Sequence, residues 1–205
     1  MSIQPFVPPF TQVCDVIKQT TWHHDLTVRE IPAPTRIAKD SMAIEAVVSH
    51  DGEEIGSGRL IVLHQPFWEE AWEGDYRLVT MSRAGVDHQI ATDPLLGEVA
   101  WSWLTDALDQ RKTTYRAAAG TTTAVLSHSF GQIAGDPEEN SVELRASWTP
   151  TSRRPMTSSI ISWRGRTCCA SPAGSSPFQT ASSPSHPDEP GEWEQMQHVS
   201  RRIRP

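Results

Sequence analysis

The chain has 205 residues, a length typical of one domain, and 37% hydrophobic and 21% charged residues place it among ordinary globular proteins. Its formal net charge of -7 disfavours direct nucleic-acid binding, because neutralisation of phosphates supplies most nonspecific affinity. No apolar run approaches the roughly 20 residues that span a bilayer, so we expect no membrane partner.

The N-terminal region predicts a short helix and a cytoplasmic protein. The first ten residues lack the basic start, sustained apolar stretch and cleavage site of a secretory signal. Apolar side chains at positions 10, 13, 14 and 17 have helical spacing, so we predict an amphipathic helix that ends near Trp22. Pro32 and Pro34 then favour a stiff extended connector over residues 30–34, with the sheet beginning after it.

The central region predicts a β-hairpin and a further strand. Apolar residues occupy the alternate positions 42, 44, 46 and 48, residues 50–53 offer a turn, and residues 58–63 form a second β-rich run. Another strand is expected over residues 76–81, after a tryptophan-rich acidic loop at 67–74.

A second helix and two more strands complete the predicted domain. Asp93 can cap a helix, Pro94 suits its first position, and an apolar stripe runs from Leu96 to Leu108, so we predict a helix to about Lys112. Strands are expected over residues 115–130 and 142–148. The order predicts an α+β fold: a mostly antiparallel sheet of about five strands with two helices packed on one face.

The composition changes at Pro150, which divides the chain into a domain at 10–150 and a tail at 151–205. The tail contains eleven Ser, seven Pro and seven Arg, and no Leu, Lys or Tyr. Such a composition is typical of a disordered segment. The tail has no Leu, and its only basic residues besides His are Arg. This composition also fits an aberrant tail, produced when GC-rich coding DNA is translated in the wrong reading frame.

Five segments of the domain resemble a known family: EIPAP at 30–34, GRLIVLH at 58–64, EAWEGDYRLVT at 70–80, ATDPLLGEVAWSWLTDAL at 91–108 and RASWTP at 145–150. Together they resemble the uncharacterised actinobacterial family DUF3000. The resemblance implies no activity, catalytic residue or ligand. Members of the family are encoded near genes for ribonuclease D-like proteins, and this position implies a link to RNA metabolism. RASWTP precedes a Leu-rich helical segment in that family, so the resemblance favours an aberrant tail here.

Polar clusters do not by themselves indicate a catalytic or metal site. His23, His24 and Asp25 have metal-binding side chains, but adjacent residues usually point apart, so we predict no metal there. His64 ends a strand just before Glu69 and Glu70, and a carboxylate beside it would make it a general acid or base.

The remaining candidates for chemistry also have structural explanations. Nothing in the sequence indicates that His88 or His128 is brought toward an activated nucleophile. Cys14 lies on the apolar stripe of the first helix and is expected to be a small core residue. The chain has neither a nucleophile elbow nor a phosphate-binding glycine loop. We therefore expect no catalytic residues and no cofactor.

Tryptophan is the most suggestive residue type. Trp103 belongs to the apolar stripe of the second helix and Trp148 to an alternating strand, so core packing explains most of the tryptophans, Trp101 included. Trp68 and Trp72 are the exception, because they lie four apart in an acidic loop. We predict a non-enzymatic binding or adaptor domain that contacts a protein partner through this loop, with both rings as anchors. The charged rim would be Glu69, Glu70, Glu73 and Asp75. The alternative is a small-molecule-binding protein or weak enzyme that uses His64.

Overall fold

A computed structural model describes residues 7–110 and 113–151 of the chain. These residues form three helices, six strands and two short 3-10 turns, at Glu70–Trp72 and Gly131–Ile133. In chain order the elements are α1 (Phe10–Gln19), β1 (Leu26–Ile31), β2 (Asp40–His50), β3 (Glu53–Glu69), β4 (Gly74–Gly85), α2 (His88–Ala91), α3 (Leu96–Gln110), β5 (Tyr115–Val125) and β6 (Ser141–Pro150). No helix among these residues is long and apolar enough to cross a membrane.

The strands form one antiparallel sheet with the order β1-β2-β3-β4-β6-β5. The predicted α+β class is confirmed, but the expected five strands are six. The additional strand is β1, which pairs with β2 from Leu26 to Ile31 and so precedes the prolines after which the sheet was expected to begin. None of its residues is fully buried, and an edge strand of this kind gives only a weak hydrophobic pattern.

All three helices pack on the same face of the sheet, which we call the helical face. Val13 and Ile17 of α1 share a core with Leu104 and Leu108 of α3. The sheet supplies the rest of this core through alternate side chains, namely Met42, Ile44, Leu60, Val62, Tyr76, Leu78, Leu144, Ala146 and Trp148. The predicted packing of two helices on one face is therefore confirmed for α1 and α3, and the short α2 joins them at one end.

The opposite face of the sheet, which we call the second face, is mixed in character. Ala43, Ile61 and Leu63 are buried there beneath Trp72 and apolar residues between Ile31 and Ala38. The pairing registers also place six arginines and three glutamates on this face. They are Arg29, Glu45, Glu54, Arg59, Arg77, Arg83, Arg116, Glu143 and Arg145.

The two hairpins end in turns that require left-handed backbone. Asp51 and Gly52 have φ angles of 53° and 85°, as a two-residue hairpin turn demands, so the predicted turn at 50–53 is confirmed. The β3–β4 connection is shorter than expected, because β3 continues to Glu69 and only a 3-10 turn and Glu73 separate it from β4. Glu73 adopts φ 55° there.

Helix boundaries agree with the local sequence signals. α1 begins after Pro9, as expected, and ends at Gln19 rather than near Trp22. Before α3, Asp93 accepts a hydrogen bond from the Leu95 amide at 2.8 Å, so its predicted capping role is confirmed. The residues from 152 onward, which include almost all of the predicted tail, lie outside the described residues.

Candidate functional site

The end of the β3–β4 hairpin, residues 65–75, carries two adjacent exposed rings, and we call it the hairpin tip. The Phe67 residue is 81% exposed and Trp68 is 59% exposed. The regular pairing of β3 with β4 is interrupted between His64 and Glu69, and both rings lie in this irregular stretch of β3. The guanidinium carbon of Arg116 on β5 lies 5.0 Å from the centre of the Trp68 ring, a cation–π contact.

Trp72, the second predicted anchor, has a different environment from Trp68. It is only 9% exposed and belongs to the apolar cluster on the second face, together with Ile61 and Leu63. Its backbone carbonyl accepts a hydrogen bond from the Thr149 hydroxyl on β6 at 2.5 Å. The expectation that both rings anchor a partner is therefore corrected: tertiary packing buries Trp72, which fastens the tip to the sheet.

The acidic rim predicted around these rings is present at the tip. Glu70 and Glu73 are exposed, whereas Glu69 and Asp75 are half-buried. None of these four carboxylates has an ion-pair partner within 4 Å among the residues that the structure describes. The exposed rings therefore have unpaired negative charge beside them. Phe67 was not among the expected contact residues, although Pro66 before it has no N–H to donate to a strand ladder and was a signal for irregular pairing there.

His64 does meet a carboxylate, but not one of those expected. Its Nδ1 atom lies 2.9 Å from an Asp40 carboxylate oxygen, because Asp40 is its direct cross-strand neighbour on β2. The expected partners Glu69 and Glu70 do not pair with it. The imidazole is partly buried between the rings of Phe10 and Tyr76, whose centres lie 5.8 and 4.5 Å away.

The groups around His64 are held in their neutral forms. Burial raises the pKa of the Tyr76 hydroxyl far above its ordinary value, and that hydroxyl donates to the Pro8 carbonyl at 2.7 Å. Burial also raises the pKa of the Cys14 thiol, so the thiolate needed for nucleophilic attack is disfavoured. The His64–Asp40 contact thus lies beside a neutral phenol.

Two histidine clusters have donor atoms suited to a cation. Asp25 lies 2.9 Å from His23 Nδ1 and 3.0 Å from His24 Nε2, and one donor atom from each residue lies within 4.8 Å of the others. The expectation that these adjacent side chains point apart is wrong, since the two imidazole centres lie 4.1 Å apart. The tight turn before β1, closed by a hydrogen bond from the Leu26 amide to the His23 carbonyl, brings them together.

The second cluster joins distant parts of the chain. Glu138, between β5 and β6, lies 2.9 Å from His128 and 3.4 Å from His88, the first residue of α2. A hydrogen bond from His128 is the main cause of the lowered pKa of the Glu138 carboxyl. All three side chains are largely exposed, and no spacing in the sequence predicted that they would meet.

The tryptophans expected in the core lie in it or against it. Trp148 is fully buried in the core of the helical face, while Trp101 and Trp103 are half-buried and pack against buried clusters. Cys14 is half-buried and packs against the same core as Trp148, as expected for a small apolar residue.

Comparison with known proteins gives a family without an assigned activity. The family model described as "Protein of unknown function (DUF3000)" matches residues 7–181. This match continues past Pro150, where the composition predicts the domain to end, and the domain boundary stays a prediction. No curated protein and no solved structure matches the chain.

Proposed function

The chain belongs to the DUF3000 family of proteins of unknown function, and we propose that it is a protein-binding domain that contacts its partner through the hairpin tip. The exposure of Phe67 and Trp68 on adjacent positions is the observation that carries this proposal. Two large neighbouring apolar side chains in water favour association, because their burial against a partner removes apolar surface from water. Aromatic residues are also the most frequent energetic anchors of protein interfaces.

The construction of the tip supports the same function. The buried Trp72 and its hydrogen bond from Thr149 fix the 3-10 turn against β6, and Arg116 constrains the Trp68 ring. A contact surface that is ordered before binding loses less conformational entropy when the partner arrives. The tip is therefore a preorganised surface rather than a loop that must order itself.

The charge at the tip indicates the chemistry of the partner. Glu70 and Glu73 are exposed and unpaired among the described residues, beside the two rings. A complementary surface would have an apolar pocket for the rings and basic side chains at its rim. We accordingly propose a partner protein with a basic-rimmed apolar pocket, which includes proteins of RNA metabolism that already bind phosphate through basic residues.

The test compares two double variants with matched exposure. Phe67→Ser with Trp68→Ser removes the tip anchors, and Phe130→Ser with Ile133→Ser removes side chains that are 79% and 55% exposed elsewhere. A partner recovered from a lysate of the source organism is purified and its affinity is measured for each variant. We expect the tip variant to bind at least 30-fold more weakly, since one hot-spot anchor contributes about 2 kcal/mol or more.

The same experiment can reject the proposal. Equal affinity of the tip variant and the wild-type chain would remove the tip from the interface, and a larger loss in the Phe130 and Ile133 variant would place the interface there. Urea unfolding of both variants checks that stability is unchanged. Charge reversal at Glu70 and Glu73 should weaken the complex at low salt and have less effect at high salt, because exposed charges are screened.

A second candidate function is small-molecule binding or weak acid–base chemistry at His64. The observation in its favour is the 2.9 Å contact between His64 and Asp40, beneath the ring of Phe10. A thermal-shift screen of nucleotides, sugars and metal ions tests it. A ligand at 100 times its dissociation constant should stabilise the wild-type chain by about 2.7 kcal/mol and a His64→Gln variant much less. A screen without such a ligand would count against this candidate.

A cytoplasmic location in an actinobacterium is also part of the proposal. It is supported by the three cysteines, whose spacing does not suit a disulfide framework, and by Cys14, which is a free thiol in the structure. Fractionation of cells that express a tagged full-length chain would test the location, and recovery in a membrane or secreted fraction would contradict it.

A further inference from the structure

The turn between α1 and β1 brings three metal-binding side chains together. His23, His24 and Asp25 are consecutive, and one donor atom of each lies within 4.8 Å of the other two. No other group of three His, Cys, Asp or Glu residues in the described ranges, 7–110 and 113–151, brings its donor atoms this close. Adjacent side chains usually point apart, so their convergence depends on the backbone of the turn.

The backbone of this turn is held at both ends. The Leu26 amide donates to the His23 carbonyl at 2.9 Å, and the Ser49 amide of β2 donates to the Asp25 carbonyl at 3.0 Å. Trp22, which precedes the turn, packs against the core of the helical face. The three side chains therefore extend from a backbone that the sheet and the core fix in place, and little conformational entropy is lost when they bind one ion together.

The distances between the donor atoms match the coordination sphere of a small cation. The Asp25 carboxylate oxygens lie 2.9 Å from His23 Nδ1 and 3.0 Å from His24 Nε2. Imidazole nitrogens and carboxylate oxygens bind divalent transition-metal ions at about 2.1 Å, so neighbouring donors of an octahedral ion lie about 3.0 Å apart. At the same bond length, neighbouring donors of a tetrahedral ion lie about 3.4 Å apart. The observed spacing therefore suits an octahedral ion whose remaining positions are filled by water.

The three side chains are open to solvent, so an ion can reach them without displacing any part of the core. The exposed fraction of the side chain is 25% for His23, 42% for Asp25 and 83% for His24. His23 is therefore the more fixed donor, and the ring of His24 is free to adjust to the ion. The ion pairs recorded for Asp25 among the described residues are with these two histidines and not with Lys or Arg, so its negative charge is available to a cation.

We propose that His23, His24 and Asp25 bind one divalent transition-metal ion of the first row, such as Co²⁺, Ni²⁺ or Zn²⁺. Two imidazoles and one carboxylate are a donor set that such ions prefer, whereas Mg²⁺ prefers oxygen donors alone. The two imidazole centres lie only 4.1 Å apart, so one ion can use a nitrogen of each ring and the carboxylate that both rings contact. The site uses neither the rings of the hairpin tip nor His64, so it does not depend on the protein contact proposed there.

The test is a calorimetric titration of the full chain with Co²⁺, with Mg²⁺ as the control ion. The adjacent thiols of Cys168 and Cys169 can also bind Co²⁺, so the titration uses a chain in which both are changed to Ser. We expect saturable binding of one Co²⁺ per chain. Thermal unfolding at constant ionic strength should show a rise in Tm with Co²⁺ and none with Mg²⁺, because an ion that binds only the folded state stabilises it.

Substitutions in that chain assign the binding to particular residues. His24→Gln removes an exposed donor, and Asp25→Asn removes the negative charge at nearly constant size. Each should weaken Co²⁺ binding at least tenfold, since even the loss of a group that only supports a metal ligand commonly costs about 10–100-fold. His128→Gln is the matched control, because His128 is also an exposed histidine beside a carboxylate, that of Glu138 at 2.9 Å. It should leave the affinity for Co²⁺ unchanged.

Nuclear magnetic resonance locates the ion, because Co²⁺ is paramagnetic and should perturb the amide signals of Leu26 and Ser49 more strongly than that of Glu138. Three results would overturn the proposal. Without saturable Co²⁺ binding, the contacts of Asp25 with the two histidines are hydrogen bonds only. An equal loss of affinity in His128→Gln and His24→Gln would indicate diffuse binding by exposed histidines. Binding of Mg²⁺ as strong as that of Co²⁺ would indicate a general attraction of cations to an acidic chain.

Discussion

Replacement of Thr149 by Val tests whether one buried hydroxyl fastens the hairpin tip to the sheet. Thr149 is 1% exposed, and its hydroxyl donates to the Trp72 carbonyl while it accepts from the Arg77 guanidinium. Val has the same shape but no hydroxyl. The substitution therefore leaves a buried carbonyl and one guanidinium N–H without their partners and removes little apolar contact.

The expected cost follows from these two lost hydrogen bonds. A buried polar group left without a partner destabilises a protein by about 1–3 kcal/mol. Arg77 keeps its hydrogen bond to Ser147, so the cost of its lost bond to Thr149 lies at the low end of this range. We therefore expect Thr149→Val to lower the free energy of unfolding by about 2–4 kcal/mol. This is a large fraction of the roughly 5–15 kcal/mol that stabilises a typical domain.

Equilibrium urea unfolding, followed by tryptophan fluorescence, measures this change. Thr149→Ser is the matched control, because it keeps the hydroxyl and loses one methyl group, with an expected cost of about 1 kcal/mol. A Val variant no less stable than the Ser variant would refute the reasoning, since the cost would then come from packing and not from the hydrogen bonds. Faster amide exchange at Trp72 in the Val variant alone would locate the effect at the tip.

Three other substitutions test the packing and charges of the sheet. Gly120→Ala places a Cβ 2.5 Å from a backbone carbonyl oxygen of β6 and should cost about 1–3 kcal/mol or more, whereas Gly135→Ala meets nothing within 4 Å and should be nearly neutral in urea unfolding. Burial alone would raise the pKa of Glu45, but hydrogen bonds from its two arginine partners outweigh burial and lower it. The ionised Glu45 therefore stabilises the fold above its ordinary pKa of 4.5, and this stabilisation is lost as pH falls through the lower folded-state pKa. Glu45→Gln should lower the free energy of unfolding at neutral pH, and the difference from wild type should shrink only below about pH 4.5. A difference that is already absent at neutral pH would contradict this expectation. Tyr76→Phe removes the 2.7 Å hydrogen bond to Pro8 and should cost about 1 kcal/mol, and an unchanged unfolding midpoint would show that the bond is not needed.

The candidate site was only partly predictable. The acidic, tryptophan-containing segment was identified from its composition, and the structure places exposed carboxylates and one exposed tryptophan there. Spacing could not show that Trp72 turns inward and Trp68 outward, because the 3-10 turn and the interrupted strand pairing decide the direction of each ring. The partner of His64 was missed for a similar reason: Asp40 is 24 residues away in the chain and adjacent only across the sheet.

The sequence by itself determined the local structure of this protein. Interactions between residues close in the chain specify several elements. Their signals are the apolar residues at every second position of β2, the strict alternation in β6, the Asp51-Gly52 turn and the apolar stripe of α3. Strand β1 was the exception, because an exposed edge strand buries too few side chains to leave a clear pattern.

The tertiary structure alone decided which polar groups meet. The antiparallel register places Asp40 opposite His64 and brings Arg77 against two hydroxyls of β6, and the loop after β5 returns Glu138 to both His88 and His128. These contacts join residues far apart in the chain, so no periodicity encodes them. Their positions follow from strand order and register, which are set by burial of the whole hydrophobic face rather than by any single segment.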